Sequence, residues 1–405
     1  MLEEWEAAAE GNTPEESEVY RLWQKMNAWV LDGFWATYSR LGISFDHVDY
    51  ESQTYSLGKS ICEDAVTSGI FHRNATGAVA VSYEKMPSLK LQGEKVLLRS
   101  NGTSVYMTQD LGTAVTRWDR HSADKMVYVV ADEQREHFRI LFELLSLLQP
   151  KMQGAFHHLS YGMVNLTTGR MKSREGTVVD ADNLLDEVQA LAKEATKQKV
   201  AKALEKAKAK LALSCHTGVA VDQEEDDDAL ELSEDEFERR GKCIGLAALK
   251  FYILNSPPQS TMLYSPADSI KFEGQTGPYI LYCYARTRSI LRNASTDGAD
   301  VLQGGTTCLD ALGTTAEEGV VLKCLFPFND ILLQAAKSHN PAKVCHALFD
   351  LAQAFNKLFN QKEKHPIVHC TIPELRNARL LMTEAVGVAL RKGMALLGID
   401  VLERM

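Results

Sequence analysis

An α/β region followed by an all-α domain is the architecture this sequence predicts. Three observations carry that reading. A short Val-rich run, KMVYVVAD (125–132), leads into a helical pattern, HFRILFELLSLL (137–148). Strand followed by helix is the unit of a parallel sheet. From 246 to 405, apolar residues recur at helical spacing in LAALKFYIL, PYILYCYARTRSILRNA, VCHALFDLAQAFNKLF and ARLLMTEAVGVALRKGMALLGI. A break at Asn255-Ser256-Pro257-Pro258 separates the first of these helices from the next.

The elements follow in order. Residues 17–41 read as a helix, because Trp23, Met26, Trp29, Val30, Phe34 and Tyr38 recur at 3–4 spacing. GAVAVSY (77–83) and KVLLRS (95–100) are strand-like, with Asn101-Gly102 as a turn signal. The run 125–132 reads as a buried parallel strand. HHLSYGMVNLTTGRMKSREGT (157–177) starts as a strand and passes into a basic, Gly-containing loop. Residues 183–213 are strongly helical. The Gly/Thr-rich 303–316 and KEKHP (362–366) read as loops.

The 405 residues suffice for two or three domains. No apolar run reaches about 18 residues, so no membrane span is expected. The N-terminus MLEEWEAAAEG is acidic and no secretory signal is expected. Eight cysteines are scattered without a C-x-x-C pair, which fits free thiols in a reducing compartment and a cytoplasmic location. The net charge is −10, yet residues 222–240 alone hold 11 acids and 2 bases. The remainder is near neutral, so polyanions are not held by bulk charge. The Lys-rich 193–210, with seven Lys and two Glu, reads as a charged surface extension, or pairs loosely with the acidic segment.

Four clusters carry chemistry. They are Tyr106 to Asp110 with Gln134 and His137; His158-Leu-Ser-Tyr-Gly162-Met163-Val164; Gly169 to Gly176; and Gly274 to Arg286. Together with FDHVDYESQTYSLGK (45–59), MKSREGTVVDADNLLDEV (171–188), DLAQAFN (350–356) and the closing LLGIDVLERM, they resemble the arginyl-tRNA synthetases, a class I aminoacyl-tRNA synthetase family. The motifs stand in family order over nearly the whole chain. One departure is large: no H-x-G-H, the HIGH-type signature, occurs. The resemblance therefore implies the C-terminal part of such an enzyme, without the first half of the catalytic fold. It implies a Rossmann-like catalytic remnant over 1–190, a charged helical insertion or linker over 191–245, and a DALR-type anticodon-binding domain over 246–405.

The resemblance places Tyr106, Asp110 and Gln134 in an arginine pocket. The chemistry is apt, since a planar guanidinium calls for a carboxylate that can take two parallel hydrogen bonds. A bland alternative makes Tyr106 a core aromatic and Asp110 a helix N-cap. His137 is implied at ATP, or is a structural His near a helix start. Gly162 permits close approach, and the backbones of Met163 and Val164 are implied at the adenine edge. The loop Gly169–Gly176 is similar to a degenerate KMSKS signature. Its Arg170, Lys172 and Arg174 are the cations for the pyrophosphate leaving group. Tyr279, Tyr282 and Arg286 lie at i, i+3 and i+7 of one helix, and the resemblance sets that helix against tRNA, with Met405 as a second contact. Leu281, Cys283 and Tyr284 depart from the family pattern there. Tyr279 and Tyr282 read equally as core aromatics.

The activity implied is arginine–tRNA ligation from L-arginine, ATP and tRNA(Arg). Mg²⁺ is expected with ATP, and no metal-ligand cluster is visible. A monomer without DNA or membrane partners is expected. The rival reading is a non-catalytic tRNA-binding protein that keeps the anticodon-binding domain.

Overall fold

Helix α1 runs Glu18–Leu41, where the apolar spacing puts it, with the Ser17 hydroxyl accepting from the Tyr20 N–H. None of its residues is buried, and Leu22, Met26, Trp29, Val30 and Phe34 are all exposed. The computed structural model describes residues 17–166, 180–217, 232–271, 273–296, 310–313 and 315–405, together with Glu4, Trp5 and Ala8. The chain divides into two units, Met1–Gly162 and Met163–Met405.

In the first unit α2 (Glu51–Thr67) packs against α3 (Tyr106–His121). Their backbones touch because glycine faces glycine. A Cβ on Gly112 would press into the Thr54 carbonyl oxygen and sit 2.8 Å from Gly58 N. A Cβ on Gly58 would overlap the Thr108 carbonyl. Thr54 Oγ1 and Thr113 Oγ1 then meet at 2.7 Å across the same crossing. Between these helices in sequence comes an antiparallel meander, β1 (His72–Arg73), β2 (Val79–Ser82) and β3 (Glu94–Leu98). The Asn101-Gly102 turn follows β3 as expected, with Gly102 at φ +79° and its N–H on Arg99 O.

Strand β4 (Met126–Ala131) pairs in parallel with β5 (Phe156–Tyr161), in register from Met126–Phe156 to Ala131–Tyr161. Helix α4 (Arg135–Leu148) connects them and buries Phe138, Ile140, Leu141, Leu144 and Leu145. Here the expectation of a fully buried strand is corrected. Tyr128 and Val130 pack on the core, but Val127 and Val129 on the other face are exposed. The Phe138 and Phe142 rings of α4 lie 5.2 and 5.5 Å from Tyr128, so α4 covers that face alone.

The second unit opens with a short parallel pair, β6 (Val164–Leu166) and β7 (Met262–Tyr264). Helices α5 (Ala181–Thr217) and α6 (Glu234–Leu254) pack against each other, and residue 190 falls within α5. Lys193 bridges Glu234 at 2.7 Å and also pairs with Glu238, while Lys197 meets Glu234 at 2.9 Å. Part of the basic run therefore pairs with the start of α6. Residues 218–231 lie outside the described set.

After a single turn at Pro266–Ser269, the longer helices that follow are α7 (Gly277–Thr296), α8 (Ala316–Leu325), α9 (Phe328–Lys337), α10 (Ala342–Phe359) and α11 (Pro373–Leu396). They share one core with α6. The stretch 316–337 is apolar enough to be weighed as a membrane span. It is, however, two ten-residue helices split at Pro327, each about 15 Å long against a hydrocarbon core of about 30 Å. A buried ion pair fastens α8 to α11, with Arg379 Nε on Glu318 Oε1 at 2.8 Å. The C-terminal segment is pinned by Tyr284 to Glu403 at 2.8 Å and by Lys250 to Gly398 O at 2.5 Å.

Because the α2–α3 crossing has no room for a methyl group, Gly112→Ala should lower unfolding free energy by about 2 kcal/mol. A urea melt measures this, and an unchanged midpoint would show that the helices can separate without cost.

Candidate functional site

In open α/β sheets chemistry gathers at the C-terminal ends of the strands. In the first unit that end holds Asp132–Gln134 after β4, with Gly162 after β5. A hollow of 430 Å³ lined by Trp118, Asp124, Lys151 and Gly154 opens at the opposite end, before β4 and β5.

Helix α3 begins at Tyr106, with Val105 extended before it. Asp110 therefore sits one turn inside the helix, which removes the N-cap reading. Tyr106 is not a core aromatic either, being 79% exposed. Asp110 lies on the same face one turn on, its side chain 37% exposed. Its Oδ2 is 2.6 Å from His137 Nε2, at the first turn of α4. An ionised carboxylate only accepts, so Nε2 carries the hydrogen. Gln134 is exposed at the N-cap position of α4, one turn before His137. The structure thus brings Tyr106, Asp110, Gln134 and His137 onto two adjoining helix starts.

Asp49 anchors this helix from outside. It receives Arg117 Nε at 2.9 Å and Arg120 Nη1 at 2.6 Å, both from the far end of α3, and lies 3.2 Å from His47 Nε2. Burial works against ionisation of Asp49, but hydrogen bonds from Arg117 and Arg120 outweigh it and hold the carboxyl at about 2. His158 Nε2 donates to Val130 O at 3.0 Å across the parallel pair, and its ring lies against Phe138 with ring centres 4.9 Å apart. Its role is to lock strand to helix.

Apart from Gly162, the other expected site residues fall in the second unit or outside the described set. The backbone of Met163 is partly engaged, since its carbonyl oxygen accepts from Met262 N–H at 3.0 Å. Val164 opens β6 and pairs with Met262. Arg170, Lys172 and Arg174 lie in 167–179, outside the described residues. Among the described residues no three His, Cys, Asp or Glu side chains converge as a metal site.

On α7, Tyr282 and Arg286 stand together. Arg286 Nη2 donates to Tyr282 Oη at 3.0 Å and Nη1 to Asn356 Oδ1 at 2.7 Å. Its guanidinium also lies 4.5 Å from the Phe359 ring centre. Lys199 Nζ of α5 sits 3.8 Å over Tyr282, and Lys362 Nζ 5.0 Å from Phe359. Tyr279 instead packs on Phe349 at 5.5 Å, beside the core. Met405 is 7% exposed and belongs to that core, so its side chain packs rather than presenting a contact. Leu281, Cys283 and Tyr284 are buried too, which places their departures from the family pattern inside the protein.

A family model described as the class I tRNA synthetase (R) catalytic domain matches residues 10–250, over half of the chain. This chain belongs to the arginyl-tRNA synthetase family. A second model, the DALR anticodon binding domain, matches 280–405. An arginine–tRNA ligase of Parabacteroides distasonis is 38% identical over 405 residues, and one of Porphyromonas gingivalis 37%. Each match takes in all of this chain and 60% of the ligase, so the chain spans three-fifths of the length of those relatives. Among solved structures, the Plasmodium falciparum arginyl-tRNA synthetase superposes at TM-score 0.72 with 20% identity, over 96% of this chain and 60% of that one. The Thermus thermophilus enzyme gives 0.70 with 22% identity, over 99% and 65%. These show the fold: part of a class I catalytic domain, then a helical DALR domain.

Sequence reasoning missed Asp49, Asn356, Phe359 and Lys199. The signal for two of them was present, because Asp49 lies in FDHVDY and Asn356 closes DLAQAFN. Their partners, Arg117 and Arg286, are 68 and 70 residues away, beyond what local spacing shows.

The low value at Asp49 has a pH consequence. A carboxyl held at about 2 instead of 3.8 adds stability that is full above pH 3.8 and lost as pH falls toward about 2. Asp49→Asn should cost about 1 kcal/mol at pH 7 and remove that acid-dependent share. Identical acid titrations of the two proteins would show that the clamp contributes nothing.

Proposed function

We propose that this chain is the arginine-binding and tRNA-binding portion of an arginine–tRNA ligase. Asp110 carries the reading: an accessible carboxylate beside an exposed tyrosine, on the helix of a class I catalytic domain where a guanidinium can approach. Asp110 and Tyr106 receive the guanidinium, and Gln134 the amino-acid end of the substrate. A neutral isostere such as citrulline leaves Asp110 poorly paired, which supplies selectivity without an editing step.

In the activation step the arginine carboxylate oxygen attacks the α-phosphorus of ATP. The bond to the bridging oxygen breaks, and pyrophosphate leaves with its charge. Arg170, Lys172 and Arg174 neutralise that charge as it develops. Gly162 and the backbones of Met163 and Val164 hold the adenine. Mg²⁺, bound with ATP, would neutralise part of the triphosphate charge. In the transfer step a hydroxyl of the terminal ribose of tRNA(Arg) attacks the acyl carbon and AMP departs. The protein contributes position and charge, with no nucleophile of its own. Lys199, Tyr282, Arg286 and Lys362 offer a cationic, aromatic surface suited to stacked bases and phosphates of an RNA loop. A monomer working in the cytoplasm, without DNA or membrane partners, accompanies this reading.

Activity of the chain by itself is a separate matter. The rival, a tRNA-binding protein that no longer activates arginine, draws on the same surface. Arginine-dependent pyrophosphate exchange by the purified chain should be weak or absent, and robust exchange would contradict that expectation.

Calorimetric titration tests the pocket directly. Asp110→Asn should weaken L-arginine binding by about tenfold or more and leave tRNA(Arg) binding unaltered. Equal arginine affinity in the two proteins would remove Asp110 from the pocket. Tyr282→Ala should weaken tRNA(Arg) binding in a gel-shift assay by about tenfold, from a lost stacking contact. No change would return Tyr282 to a packing role.

A further inference from the structure

We propose that His137 is a positioning residue for arginine recognition: it fixes the plane of the Asp110 carboxylate for a guanidinium. The inference rests on the reading of Asp110 as the arginine carboxylate, and it gives His137 a role apart from ATP.

Four observations carry it. First, His137 Nε2 lies 2.6 Å from Asp110 Oδ2, so the carboxylate is tethered at one oxygen. Second, the imidazole is itself held, 22% exposed and edge-on to Phe138 at 5.5 Å. Phe138 in turn lies against His158, whose Nε2 donates to Val130 O. The tether thus stands on the sheet through two rings. Third, Asp110 Oδ1 makes no hydrogen bond among the described residues, and the side chain is 37% exposed, one helical turn from the exposed Tyr106. Fourth, α3 and α4 are separate helices that pack together, so this bond also sets the spacing of their first turns.

The physical need is clear. The terminal torsion of an aspartate is broad, so a free carboxylate turns easily. A bidentate guanidinium pair requires both oxygens in one plane with the ligand. A carboxylate offers about four lone-pair sites, and His137 takes one on Oδ2. The rest of Oδ2 and all of Oδ1 stay open in a fixed orientation. Pre-orientation of this kind shows up in affinity, because less freedom is lost on binding.

Calorimetric titrations of the 405-residue chain with L-arginine, and separately with ATP, test the proposal. His137→Ala should weaken arginine binding by about tenfold and move ATP affinity by less than about twofold. His137→Asn, whose amide is too short to reach Asp110, should behave like His137→Ala while keeping a polar side chain. His137→Gln places an amide N–H near the position of Nε2 and should restore most of the affinity. A uniform loss in all three variants, an unchanged arginine affinity, or a loss confined to ATP would each overturn the proposal. Arginine binding that fails in Asp110→Asn yet survives in His137→Ala would overturn the role of His137 alone. Wild-type chain that binds no arginine would overturn the pocket itself, and this inference with it.

Discussion

The contact of α2 with α3 through Gly58 and Gly112 is the constraint on which the candidate site depends. It lets two helix backbones meet with no side chain between them. The Thr54–Thr113 hydroxyl pair fastens that crossing, and Asp49 clamps the far end of α3 by Arg117 and Arg120. The near end of the same helix presents Tyr106 and Asp110. Asp49, Thr54 and Gly58 of FDHVDYESQTYSLGK thereby form a cradle. Its carboxylate, threonine and glycine hold a helix whose first turn presents Tyr106 and Asp110. Interiors are close-packed, so a shift of α3 by even a fraction of an ångström is passed along its length to Asp110.

A second set of residues repeats the logic on the helical domain. Asn356 of α10 takes one arm of Arg286, and Tyr282 takes another. With two donors committed and two ring centres within 4.6 Å, the guanidinium is held in place. Lys199 comes from α5, a helix that sequence composition alone reads as a solvated extension. Its first half is tied down by Lys193 and Lys197 to Glu234 and Glu238. These pairs are at the surface and screened by water, so each contributes little. The burial of Ala192 and Thr196 against α6 does more to fix the helix.

Periodicity made the helices legible, and the family motifs named the candidate site residues. Residues 18–41, 135–148 and the C-terminal helices lie where their apolar spacing puts them. What spacing could not show was cover. Residues 125–132 look like a buried strand because Val dominates, yet Val127 and Val129 face solvent, since α4 packs on the other face only. The start of α3 was ambiguous for a local reason: DLGTAV reads as a helix onset, but the extended backbone at Val105 starts the helix four residues earlier. Met405 looked like a free terminal contact and is instead a core side chain. The bond from His137 to Asp110 spans 27 residues and two helices, so no local pattern announces it.

The most direct measurement is an experimental structure of the chain grown with L-arginine. The account predicts the guanidinium in plane with the Asp110 carboxylate, about 2.8 Å from Oδ1, with His137 still on Oδ2 and the Tyr106 ring alongside. Arginine bound elsewhere, or a carboxylate turned away with its tie to His137 broken, would contradict it.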